Sequence, residues 1–218
     1  MTRSRIRTSV LPPLVAHPAP PTTTTAGAEG NTRLTSTTGM VLLVLLAVEG
    51  FTVLNVRGMI GLHVFLGTLL VGPVVLKVAA TLYRFSRYYL RNLDYVRKGP
   101  PPLLLRVLGP FVTLSSLALL GTGLGLLAVR PGEGLLLTAH KASFVIWFAV
   151  MTVHVLGHAW EAAINSLREL RQLSRRQLLR LAAVACALVL GVGLAAAVYP
   201  AASSWTHRPA DAAEHHRH

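Results

Sequence analysis

A single cysteine, Cys186, stands among 218 residues, which excludes an internal disulfide and any cysteine-built metal site. It sits in a Leu/Ala/Val run and reads as a small packing residue. Charge is also scarce. Asp, Glu, Lys and Arg make up 13% of the chain, against about 25% in a soluble domain. Acidic residues are scarcest, with 8 Asp and Glu against 21 Lys and Arg, for a formal net charge of +13. No repeat of solenoid period, Gly-rich phosphate loop or nucleophile–base constellation is present, so catalysis within this chain is not indicated. What the sequence has in quantity is apolar residues, 52% of the chain, with a mean hydropathy of +0.54. They fall in long blocks, which is the profile of an integral membrane protein.

Residues 1–36 are rich in Thr, Pro, Arg and Ala. They lack the apolar content to fold and are expected to be a disordered cytoplasmic tail. The basic start has no adjoining apolar region with a small-residue cleavage site, so no signal peptide is expected. Five apolar blocks follow: Met40–Val56, interrupted by Glu49; Ile60–Leu82, with His63, Pro73 and Lys77; about Val107–Val129; Leu135 to about Ala163; and about Leu178–Val198. A bilayer span takes about 20 apolar residues, and each block meets or approaches that length. The glycines of the third block suit helices that pack closely through small residues.

Orientation comes from the connections. The second holds Arg84, Arg87, Arg91, Arg97, Lys98 and Arg106, and the fourth holds Arg168, Arg171, Arg175, Arg176 and Arg180. The first and third hold little beyond Arg57 and Arg130. Positive charge beside span ends stays on the cytoplasmic side, so the amino terminus is expected inside and the carboxyl terminus outside. The basic balance is then mainly an orientation signal, with contact to anionic lipid. Nucleic acid is not an expected partner.

The fourth block carries His140, His154 and His158. At 100° per residue, His154 falls about 40° from His140 and His158 directly in line with it. Ionisable side chains inside a membrane helix are costly and mark functional sites. In this topology the second and fourth spans run parallel, and parallel helices of an up-down four-helix bundle lie on its diagonal. His63 and His140 lie about four and six residues into their spans, at similar depth near the outer face. Two imidazoles at equal depth across a bundle core are the geometry of a bis-histidine haem, with both residues ligating the iron. His154 would sit roughly 20 Å out of register with His63, though it replaces His140 as ligand if that alignment fails. Gly67, a turn from His63, would leave room for the macrocycle, and Phe144 and Trp147 would line the pocket. Arg57, Arg130 and Lys141 near the outer ends would meet propionates. Ordinary packing and snorkelling anchors are the competing readings of these neighbours.

A second level lies deeper. Lys77 and His154 stand fourteen residues below His63 and His140 respectively. Because lysine takes the place a second ligand would need, one haem is expected. Lys77, His154 and His158 are a candidate inner polar cluster for quinone, a proton path or a propionate; lysine snorkelling is the alternative. Glu49 is a proton-path candidate or a partner for a nearby polar group. The end Glu214-His215-His216-Arg217-His218 reads as a loose metal-binding tail or as an incidental one.

Three stretches, Leu62-His63-Val64-Phe65-Leu66-Gly67, the loop from Tyr83-Arg84-Phe85 to Arg97-Lys98-Gly99-Pro100-Pro101-Pro102, and His140-Lys141 to His154-Val155-Leu156-Gly157-His158, resemble small actinobacterial membrane proteins related to bacterial cytochrome b and ferric-reductase-like bundles. The resemblance covers about residues 40–165. It implies haem b held between histidines of diagonal helices, with electrons passing to or from quinone or a partner oxidoreductase chain. The sequence departs from the di-haem pattern at Lys77. No flavin or nucleotide motif follows the spans.

The expectation is therefore an all-α integral membrane protein, an up-down four-helix transmembrane bundle plus a fifth transmembrane helix, in a bacterial plasma membrane. Its parts are a tail (1–36), a haem-binding bundle (37–165), a basic loop with the fifth span (166–200) and a disordered outer tail (201–218). The expected function is that of a membrane-bound b-type cytochrome. The rivals are a non-haem membrane anchor or assembly subunit, and a proton-coupled transporter using Glu49, Lys77 and the inner histidines.

Overall fold

A computed structural model of the chain describes residues 26–99, 103–129, 134–169 and 175–203, and the regular structure among them is entirely helical. The helices are α1 (Ala26–Leu54), α2 (Ile60–Leu69), α3 (Val71–Tyr89), α4 (Leu93–Lys98), α5 (Leu103–Val129), α6 (Leu135–Glu169) and α7 (Arg175–Ser203). Five stretches are long and apolar enough to cross a membrane: Gly27–Leu54, Ile60–Tyr89, Arg106–Val129, Leu135–Gly157 and Arg175–Pro200. The chain is thus compatible with a multi-pass membrane protein.

α1 begins ten residues inside the segment expected to be disordered. Its polar side chains find partners as soon as they are helical, which the composition does not reveal. Thr32, Thr35 and Thr38 donate to the carbonyls of Ala28, Asn31 and Leu34, four residues back. Asn31 donates to the Ala80 carbonyl at 2.9 Å, and Lys98 reaches the Thr32 hydroxyl at 2.7 Å. The polar end of α1 is therefore held against α3 and α4 rather than left in water. Residues 1–25 and 204–218, including the histidine-rich end, lie outside the described residues.

The second span is two helices joined at Leu70. Pro73 has no N–H, so the Leu69 carbonyl loses its helical donor, and the helix breaks just before the proline. The break is where α7 comes closest. A Cβ on Gly72 would collide with the Ala187 carbonyl oxygen, and one on Gly191 with the Leu69 carbonyl oxygen. Two backbones thus meet at the kink through paired Cα–H to carbonyl approaches that only glycine permits. α3 then ends in a hydrogen-bonded C-terminal turn, with Asn92 N–H bonded to the Arg87 carbonyl and Arg91 N–H to that of Tyr88. Arg91 occupies the left-handed position at φ 57°, where glycine is usual. The short α4, not expected from the sequence, follows.

α1 packs against α2, α3 and α4 and also meets α6 and α7. α5 packs along α6 and also meets α2 and α3, while α7 lies along α2 and α3. Among the described residues the second and fourth spans make no direct backbone approach, and neither do the first and third. The fourth span is the least enclosed, with none of its apolar window buried against 28% for the second.

The Gly72–Gly191 crossing sets a sign. Gly72→Ala and Gly191→Ala should each cost about 1–3 kcal/mol by overpacking. Gly193→Ala, where nothing lies within 4 Å of the added carbon, should gain up to about 1 kcal/mol of helix propensity. Thermal unfolding of the three variants in detergent checks the contrast.

Candidate functional site

His63 is positioned by the turn between α1 and α2. Asn55 organises it: its carbonyl accepts from the backbone N–H of Gly58 at 3.1 Å and of Met59 at 3.0 Å, and its side chain accepts from Gly58 N–H at 3.3 Å. Glycine at 58 leaves room for the Asn55 amide, whose nitrogen would lie 2.8 Å from an added Cβ. This tight reversal lays the first turns of α2 against the last turns of α1. Glu49 and Thr52, three residues apart and therefore on one helix face, meet the ring. Glu49 Oε1 is 2.8 Å from His63 Nδ1, and Thr52 Oγ1 is 3.0 Å from the same nitrogen. Glu49 and Thr52 are buried, Thr52 completely.

The tautomer follows from where the protons go. Thr52 Oγ1 donates to the Glu49 carbonyl at 2.6 Å, with the Glu49 carboxylate Oε2 at 3.3 Å as a second acceptor. Its single proton spent, the hydroxyl can only accept from the ring. The carboxylate likewise only accepts. Both partners therefore require a proton on Nδ1, and in the neutral ring this leaves Nε2 with its lone pair.

His140 is held by the same device on the other pair of helices. Thr122 Oγ1 on α5 donates to the Ala118 carbonyl at 2.8 Å and to that of Leu119 at 3.0 Å. It lies 3.1 Å from His140 Nδ1, so it too accepts, and Nε2 again keeps the lone pair. The ring packs against Gly123, where an added Cβ would lie 3.2 Å from His140 Cε1. His63 and His140 are both half-buried, and His140 lies within electrostatic range of both His63 and Glu49. The four side chains Glu49, Thr52, His63 and His140 thus form one polar locality in an otherwise apolar assembly.

The other expected residues fall around this centre to different degrees. Gly67 faces Glu49, whose Oε1 would be 3.4 Å from an added Cβ. Trp147 donates its indole N–H to Ser116 Oγ on α5 at 3.0 Å, and Phe144 stacks on Trp147 at 6.4 Å between centroids. Trp147 thus belongs to the α5–α6 contact, and Phe144 packs beside it on α6. Arg57 and Lys141 are exposed, and Arg130 lies outside the described residues. Lys77 turns to α1, donating to the Thr35 carbonyl at 2.5 Å, with Gly39 beneath its ammonium. His154 is half-buried on α6, and the side chain of His158 lies outside the described residues. Among the described residues no three His, Cys, Asp or Glu side chains converge as a bare metal-ion site would need.

Thr52, Thr122 and Ser116 were not singled out from the sequence. The available signals are the Glu49/Thr52 spacing and a hydroxyl between two glycines at 121–123. No family model, curated protein or solved structure matches the chain.

The hydrogen-bond logic is directly measurable. Nitrogen-15 spectra of the histidine-labelled protein at neutral pH should show a protonated Nδ1 on both His63 and His140. Thr122→Val should change only the His140 signals. A ring found with bare Nδ1 and protonated Nε2 would contradict the arrangement.

Proposed function

We propose that this chain is a b-type cytochrome of a bacterial plasma membrane, with one haem b held by His63 and His140. The proposed architecture is an up-down four-helix bundle with α7 as a fifth helix, its amino terminus and basic connections cytoplasmic. The observation that carries the reading is the shared state of the two rings. Each is anchored at Nδ1 and offers the lone pair of Nε2, as ligating histidines do when the other ring nitrogen donates to a carboxylate or hydroxyl. The packing order agrees, because α1 and α5 keep the second and fourth spans apart while the two rings remain within electrostatic range. These residues fit a group that takes one ligand from each side.

The group, when bound, supplies one-electron chemistry. The protein's own contribution is unequal on the two sides. Glu49, a carboxylate, accepts from His63 and makes its Nε2 the stronger donor, whereas the neutral Thr122 hydroxyl does this less for His140. Buried negative charge beside His63 favours the oxidised state, so Glu49 acts as a brake on the potential. Quinone or a separate oxidoreductase chain would exchange the electron.

A proton-coupled transporter is the second reading, favoured by the 2.8 Å contact between Glu49 and His63, a buried pair able to hold and pass a proton. Reduced-minus-oxidised visible spectra of the detergent-purified protein separate the two. The wild type should give a sharp haem b α-band that is lost completely in His63→Ala and in His140→Ala. Glu49→Gln should keep the band and raise the midpoint potential. A wild type without a band after haem supplementation ends the cytochrome reading; loss in His63→Ala and His154→Ala alone would move the second ligand to His154.

A further inference from the structure

Away from the histidines, a groove of about 360 Å³ opens between the start of α1, the end of α3, α4 and the start of α7. Its wall is mainly apolar, lined by Leu34, Leu179 and the α1 glycines together with Tyr83 and Tyr95. Those rings pack edge to face at 6.2 Å, and the Arg87 guanidinium lies 5.9 Å above Tyr83. Burial, and after it the neighbouring Tyr83, raises the Tyr95 phenol above its ordinary pKa, with Arg87 opposing.

The other wall is charged. Arg176 and Arg180 line the groove, one turn apart on the same face of α7. Among the described residues neither has an ion-pair or hydrogen-bond partner. The surroundings are positive as well. Burial, and after it the charge of Arg84, draws Lys98 below its ordinary pKa, with Arg33 adding and Glu29 opposing. Two guanidiniums beside an apolar groove, at the ends of three apolar spans, match a ligand with an anionic head and a hydrocarbon body.

We propose that this groove binds one anionic phospholipid, its phosphate held by Arg176 and Arg180 and its glycerol and first acyl carbons against Leu34 and Leu179. The proposal rests on the helices spanning a membrane and is independent of haem. A phosphate diester suits paired guanidiniums through charge-assisted, two-point hydrogen bonds. Leu178 and Leu82, next in sequence to the lining residues Leu179 and Tyr83, and Leu93 on α4 are exposed, giving apolar surface near the groove for the acyl chains. A soluble anion would have no use for that surface.

Native mass spectrometry of the full chain in detergent tests this by titration with phosphatidylglycerol, phosphatidylcholine or inorganic phosphate. The wild type should take up one phosphatidylglycerol far more tightly than phosphatidylcholine. With each arginine contributing about fivefold near a membrane surface, Arg176→Gln/Arg180→Gln should weaken phosphatidylglycerol by about 25-fold. Arg91→Gln/Arg106→Gln, both residues exposed and outside the groove lining, should leave it unchanged. Both double variants should unfold at the wild-type temperature in lipid-free detergent, which keeps a binding loss distinct from a folding loss. Equal uptake of the two lipids, full retention in Arg176→Gln/Arg180→Gln, or displacement by millimolar phosphate overturns the proposal. None of these results touches the haem spectrum.

Discussion

No water reaches the hydrocarbon core of a bilayer, so every polar side chain carried into it needs a partner within the protein. That constraint accounts for most of what distinguishes this structure from a set of greasy helices. Thr32, Thr35, Thr38, Thr68 and Thr122 return their hydroxyl protons to carbonyls of their own helix. The side chains that do not solve the problem locally solve it across helices, and so decide which helices stand together. Glu49 and Thr52 tie α1 to α2 through His63, Lys77 ties α3 to α1, and Thr122 and Ser116 tie α5 to α6. A threonine whose proton is already spent becomes an obligate acceptor, and both histidines are oriented by such a threonine.

Close backbone approach is the second organising force. Between apolar helices in lipid there is no hydrophobic drive to associate, and packing depends on how near the backbones come. Gly72 and Gly191 let α7 seat at the one place where the second span has lost a helical hydrogen bond to proline. Gly123 and Gly39 serve another purpose, making room for a ring and an ammonium. Glycine therefore marks two kinds of site here, and only the neighbours tell them apart.

The spans were legible because long apolar runs have few alternatives. Their ends were not. The amino-terminal turns of α1 read as disordered because they have too little apolar content to fold alone, yet Asn31 and Thr32 are satisfied by α3 and α4, which no local window contains. The break at Leu70 was foreshadowed by Pro73, whereas α4 carries too few residues for any periodicity. At the site, the histidines were conspicuous because a titratable ring in an apolar run is rare. Thr52 and Thr122 were not, since a threonine among many has no visible purpose until its acceptor role is known. Glu49 stood between, singled out for its charge but without its partner.

One feature of the connectivity bears on how the molecule comes together. Thr52 and His63 are 11 residues apart and Thr122 and His140 are 18, each pair within one helical hairpin. Each ring can therefore acquire its tautomer as soon as its own hairpin enters the membrane, with only a short loop to close. Assembly of the polar centre then reduces to the docking of two prefabricated halves. A mutation that weakens that docking would leave both histidines correctly set and separated, a failure that no inspection of either half alone would reveal.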